Sequence, residues 1–110
     1  MVTISKNQAL ERWDTLPMTL REALYSDINS DFLWKTCQAE HIPEEKIYDV
    51  SRITGYVLMG FLHPGDLAGE LTEILGIDKR ITTSIADAID KRIFAPLQED
   101  IDKAYNPISK

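Results

Sequence analysis

Apolar residues return at every third or fourth position through almost the whole chain, and this spacing constrains the fold more than any other feature. Ile47, Val50, Ile53, Val57, Leu58 and Phe61 form one such series, and Ile81, Ile85, Ala88, Ile89, Ile93, Leu97 and Ile101 form another. Side chains at that period share one face of a helix, which must then be buried against something. No stretch of four or more residues alternates cleanly between apolar and polar with turn signals at both ends, so no sheet is expected. With 110 residues, 44% of them hydrophobic, the chain is long enough for one core of its own.

Local signals divide this pattern. A first helix is expected over Lys6 to Thr15, with Ala9, Leu10 and Trp13 on its buried side, ended by Leu16-Pro17. Proline disfavours a helical conformation at the residue before it. Thr19-Leu-Arg-Glu22 reads as a capping box opening a second, short helix that ends near Ser26. Asp27-Ile-Asn-Ser30 reads as a polar turn, with Ser30 capping a third helix from Asp31 to about Glu40. Pro43, Glu44 and Glu45 open a fourth and central helix over about 44–62, with Gly55 and Gly60 inside it. His63-Pro64-Gly65-Asp66 ends it, and Asp66 caps a fifth helix that Gly76 closes in the left-handed conformation. Asp78 caps the last long helix, in which Pro96 predicts a break before a piece running to about Tyr105.

The expectation is therefore all-α: a compact bundle of five or six short helices around the central one. Residues 1–15 read as a helical lead segment, 16–105 as the bundle and 106–110 as a frayed tail. Expected core residues include Trp13, Leu20, Leu24, Leu33, Ile47, Val50, Ile53, Val57, Phe61, Leu71, Ile74, Ile85, Ile89, Ile93 and Leu97. A weak internal similarity lies at an offset of 35 residues, with Asp31, His41, Ile42, Val50 and Leu58 over Asp66, Gly76, Ile77, Ile85 and Ile93. It describes two units of helix, turn and longer helix.

Charge bears on partners. Residues 1–55 carry six basic and nine acidic side chains, and residues 56–110 carry the same numbers, for a net charge of -6. Such an even acidic surface argues against nucleic acid as a partner and against anionic lipid. The longest apolar stretch, Tyr56 to Leu62, is far short of the roughly 20 residues that a membrane span needs. The single Cys37 allows no internal disulfide, and with no targeting signal in MVTISKNQALERW the expected location is cytoplasmic.

Candidate chemistry is sparse. Asp27-x-Asn29-x-Asp31 resembles the start of a calcium loop, but Phe32 and Gln38 stand where a glycine and a bidentate glutamate are needed. Cys37 and His41 lie one helical turn apart and His63 is the candidate third ligand of a metal set, yet zinc sites use two close ligand pairs. A thiol and an imidazole also suggest a nucleophile, but nothing nearby argues for a lowered thiol pKa. G-x-S-x-G and phosphate-binding glycine loops are lacking. No cofactor or metal is expected, and the chain does not read as an enzyme.

Surplus apolar surface is the suggestive feature. Tyr56, Met59 and Leu62 add to the main stripe of the central helix, and together with Trp34 they form the candidate interaction surface. The leading functional expectation is a non-catalytic protein–protein interaction or assembly module that self-associates, most simply as a homodimer. One alternative is a small nucleic-acid-binding regulator of helix-turn-helix type, using Lys79, Arg80, Lys91 and Arg92. Another is a carrier of an apolar small ligand in a pocket lined by Met18, Met59 and Phe94.

Leu16-Pro-Met-Thr-Leu-Arg-Glu-Ala-Leu24 and Ile93-Phe-Ala-Pro-Leu-Gln-Glu-Asp-Ile101 resemble segments of short all-helical bacterial proteins to which no activity is attached. The resemblance spans about residues 16–105. It implies a compact helical domain and transfers no site.

Overall fold

Seven α-helices follow one another in the computed structural model, which describes residues 3–108. They are α1 Lys6–Thr15, α2 Met18–Tyr25, α3 Asp27–Ala39, α4 Glu44–Leu58, α5 Leu67–Leu75, α6 Lys79–Ile89 and α7 Gln98–Ala104. No strand occurs among the described residues. Between α6 and α7 the chain stays helical in altered form, as a π turn over Asp90–Phe94 and a 3-10 turn over Ala95–Leu97. Pro96 lies in that second turn and explains the change, because it has no N–H to give and its ring crowds the carbonyl four residues back. Counted as one interrupted run, 79–104 is the last of six helical segments, as expected.

Several helix boundaries differ from the local reading. Pro17 is extended at φ -65° and ψ 154°, and its carbonyl accepts from the N–H groups of Leu20 and Arg21. That starts α2 at Met18 and places Thr19 inside the helix, so no capping box forms there. The Thr19 hydroxyl instead donates to Asp100 Oδ2 at 2.6 Å and ties α2 to α7. The reciprocal box sits at α1, where Ser5 Oγ accepts from the Gln8 N–H and Gln8 Oε1 accepts from the Ser5 N–H. Asp27 to Ser30 is not a turn: Ser26 Oγ accepts from the Asn29 N–H and α3 begins four residues earlier than expected. Asp66 holds the N-cap position of α5 but makes no capping bond, and it is the 3-10 turn Pro64–Asp66 before α5 that is capped, by His63, whose Nδ1 accepts from the Gly65 N–H. Asp78 does cap α6, its Oδ1 accepting from the Arg80 N–H at 2.8 Å.

The central helix is real but shorter than expected. α4 packs against α2, α3 and α5, and Ile47, Val50, Ile53 and Val57 on it are buried. It stops at Leu58 because Gly60 turns left-handed at φ 80°. A Cβ at Gly60 would collide with the Ala104 carbonyl, so this glycine permits a close approach to the end of α7 and does not lie within the helix. Gly55 does lie within it, with ordinary room around a notional Cβ. Most of the expected core is buried, while Trp13, Leu24, Ile74 and Leu97 are half-buried residues packed against it.

The two units related by 35 positions share a backbone device. His41 ends α3 at φ 60° and Gly76 ends α5 at φ 62°. Val50 and Ile85 are each fully buried, as are Leu58 and Ile93 to within 3%. The match lapses at Val57 and Arg92, a position that is buried in the first unit and exposed within the π turn of the second.

α1 is tied to the rest of the bundle by one of its side chains. The Arg12 guanidinium donates to the Met59 carbonyl at 2.8 Å and to the Asn106 carbonyl at 2.6 Å. It also lies over the Phe61 ring, 4.2 Å from the centroid. The Asn106 N–H in turn donates to the Gly60 carbonyl at 2.8 Å. The expected frayed tail is therefore fastened at its first residue; 107 and 108 are exposed, and 109 and 110 lie outside the described residues.

Candidate functional site

The four side chains expected to form one interaction surface are dispersed. Leu62 is only 5% exposed and belongs to the core, because the turn at Gly60 swings it inward. Trp34 on α3 is half-buried and meets Tyr48 of α4 edge-on at 5.2 Å. Tyr56 packs edge-on against Phe61 at 6.2 Å. Met59 alone reaches an open apolar hollow, on the other side of the α4 terminus.

That hollow lies between α1 and α2. Lys6, Ala9, Leu10, Trp13, Tyr25 and Met59 enclose about 280 Å³. Leu10 was expected to be buried and is instead 56% exposed, and no residue of α1 is fully buried. The helix has its apolar stripe, but the bundle covers only part of it. Beside the hollow stands Tyr25, 78% exposed, with its ring edge-on to Trp13 at 5.2 Å. Met18 lies seven residues before Tyr25, near the same face of α2, and Ile28 follows at the start of α3; both are exposed. An exposed aromatic next to an apolar recess is the arrangement that protein interfaces use as an anchor. Sequence reasoning missed Tyr25 and Ile28, although both lie off the main apolar stripes.

The remaining candidates do not converge. Cys37 is buried, and burial pushes its thiol up to about 11. His41 is exposed at the left-handed end of α3, and His63 caps the turn before α5 with its ring against Tyr105. Among the described residues no three His, Cys, Asp or Glu side chains are placed to share a metal ion. Phe94 is fully buried whereas Met18 projects outward, 63% exposed, so the two face no common pocket. The Asp27 to Asp31 segment is helical and cannot wrap a calcium ion. No helix among the described residues is long and apolar enough to cross a membrane.

Fold and surface together define a small all-α bundle with one uncovered apolar hollow at its N-terminal helices. No family model matches the chain, and no curated protein or solved structure is similar to it.

Proposed function

We propose that this chain is a non-catalytic protein–protein interaction module that self-associates through the α1–α2 face. The observation that carries this reading is the uncovered stripe of α1 beside the projecting ring of Tyr25. Knob and recess stand next to each other and have the same apolar chemistry, so a two-fold axis through this face would seat each copy's Tyr25 near the other's hollow. Aromatic residues with a half-buried tryptophan behind them are the usual energetic centre of such a contact. Sedimentation equilibrium of the wild type and of Leu10→Lys and Tyr25→Ser tests it. A concentration-dependent dimer that both substitutions abolish, with helix content unchanged, is the expected result. A wild type that stays strictly monomeric at high micromolar concentration overturns it.

A second reading has its own support. α5 and α6 are the most extensively packed pair of helices, and the turn joining them, Gly76 to Asp78, starts with a left-handed glycine. A short turn with a glycine between two packed helices is compatible with a helix-turn-helix. Lys79, Arg80, Thr83 and Ser84 are exposed on α6, and so are the acidic Asp78 and Asp87, which weaken any phosphate contact. A shift assay on random duplex at low salt tests this reading. Retardation lost in Lys79→Glu/Arg80→Glu supports it, and no retardation ends it.

A further inference from the structure

A second cavity lies away from the α1–α2 face, at the corner where the chain turns from α4 into α5. It encloses about 720 Å³, within the roughly 300–1,000 Å³ of small-molecule sites. Phe61 and Leu62, both nearly buried, form its floor, and Asp66 and Gly69 form one wall. We propose that this cavity binds a small amphipathic cation, an organic ammonium carrying an apolar body.

Three features of the cavity carry the inference. Gly69 lies inside α5, where glycine is unfavourable relative to alanine. A Cβ there would meet nothing within 4 Å, so no packing contact in the fold asks for the glycine, and its bare backbone keeps this wall open. The floor offers apolar surface to a hydrocarbon body. The polar lining selects charge: Asp66 and Glu70 bring carboxylates, and no lysine or arginine is among the described residues that line the cavity. His63 Nδ1 accepts from the Gly65 N–H at 2.9 Å and so turns its other ring nitrogen, Nε2, away from that contact. Its ring stands edge-on to Tyr105 at 5.3 Å and completes an aromatic wall against which a cation is favourable. The N-terminus of α5 adds a partial positive field, and the full charge on Asp66 outweighs it.

Amide-resolved NMR titration of the full chain with hexylamine, hexan-1-ol and hexanoate tests the proposal. Hexylamine is expected to move the Leu62, His63, Gly69 and Tyr105 signals saturably. The alcohol and the carboxylate, and hexylamine with Asp66→Asn, are expected to bind at least about tenfold more weakly, because a charge-assisted hydrogen bond is lost. Gly69→Leu fills the cavity from open space and is expected to abolish binding while the other amide signals keep their positions. No saturable shift at these residues, equal binding of amine and alcohol, or unchanged binding in Gly69→Leu would each overturn it.

Discussion

Arg12 and Asn106, 94 residues apart in the chain, are joined by a hydrogen bond of 2.6 Å from the guanidinium to the backbone carbonyl. The same side chain holds the Met59 carbonyl at the end of α4. One arginine therefore links α1, the central helix and the residue that follows α7. Partial burial lowers its pKa, since desolvation disfavours the charged form.

Removing that link should loosen three elements together. Arg12→Ala is expected to cost about 2 kcal/mol, the range for hydrogen bonds made by a charged group. Arg12→Lys should recover little, because an ammonium cannot reproduce the two-pronged donor. Chemical denaturation gives the first quantity. Amide exchange at Asn106, whose N–H donates to Gly60, gives the second; unchanged protection there would contradict the linkage.

The left-handed residues should differ in cost. Gly76→Ala meets open space and is expected to lose about 1 kcal/mol from φ alone. Gly60→Ala adds a collision with the Ala104 backbone and should cost at least about 2 kcal/mol. His41→Gly should stabilise the fold by about 0.5–1 kcal/mol, since it relieves the same conformation where the natural residue has a Cβ. Thermal and denaturant unfolding of the three variants ranks them.

Two buried threonines should respond with opposite sign to one substitution. Thr54 Oγ1 is buried without a partner, so Thr54→Val is expected to stabilise by about 1 kcal/mol. Thr82 Oγ1 lies 2.6 Å from Thr72 Oγ1 and 3.0 Å from the Lys79 carbonyl. Thr72 Oγ1 can also donate to the Ala68 carbonyl, so two hydroxyl protons serve three contacts. Thr82→Val should cost about 1 kcal/mol, and a double-mutant cycle with Thr72→Val measures the coupling.

Burial raises the Cys37 thiol from 9.0 to about 11. The folded state thus holds the proton more tightly than the unfolded chain. Stability from this group is fully present below pH 9.0 and is lost as pH rises toward about 11. Denaturant midpoints measured across that window should fall, and Cys37→Ala should flatten the fall relative to the wild type. The native thiol should also resist aromatic disulfide reagents at pH 8 until the protein unfolds.

What was legible in the sequence follows the range of each interaction. Gly76, Asp78 and Pro96 act on backbone within a few residues, so their effects on α5, α6 and the break before α7 were readable in order. The Ser5 and Gln8 capping box is an equally local signal. Thr19 and Ser30 do not cap their helices because Pro17 and Ser26, in the same few residues, take that position, and propensity alone does not choose between them. The candidate surface fared worse. Leu62 points outward only if the α4 period is extended past Gly60, and the helix ends before it, at Leu58.

The apolar period by itself determined that the chain is helical and that Ile47, Val50, Ile53 and Val57 of α4 and Ile85 and Ile89 of α6 are buried, because those depend on a repeat that each segment carries alone. Tertiary structure decided that Leu10 and Tyr25 stay uncovered, that Arg12 reaches Met59 and Asn106, and that Gly60 abuts Ala104. Each of these depends on how separate helices approach one another. An amphipathic helix specifies that it has an apolar face, and only its neighbours determine how much of that face is covered.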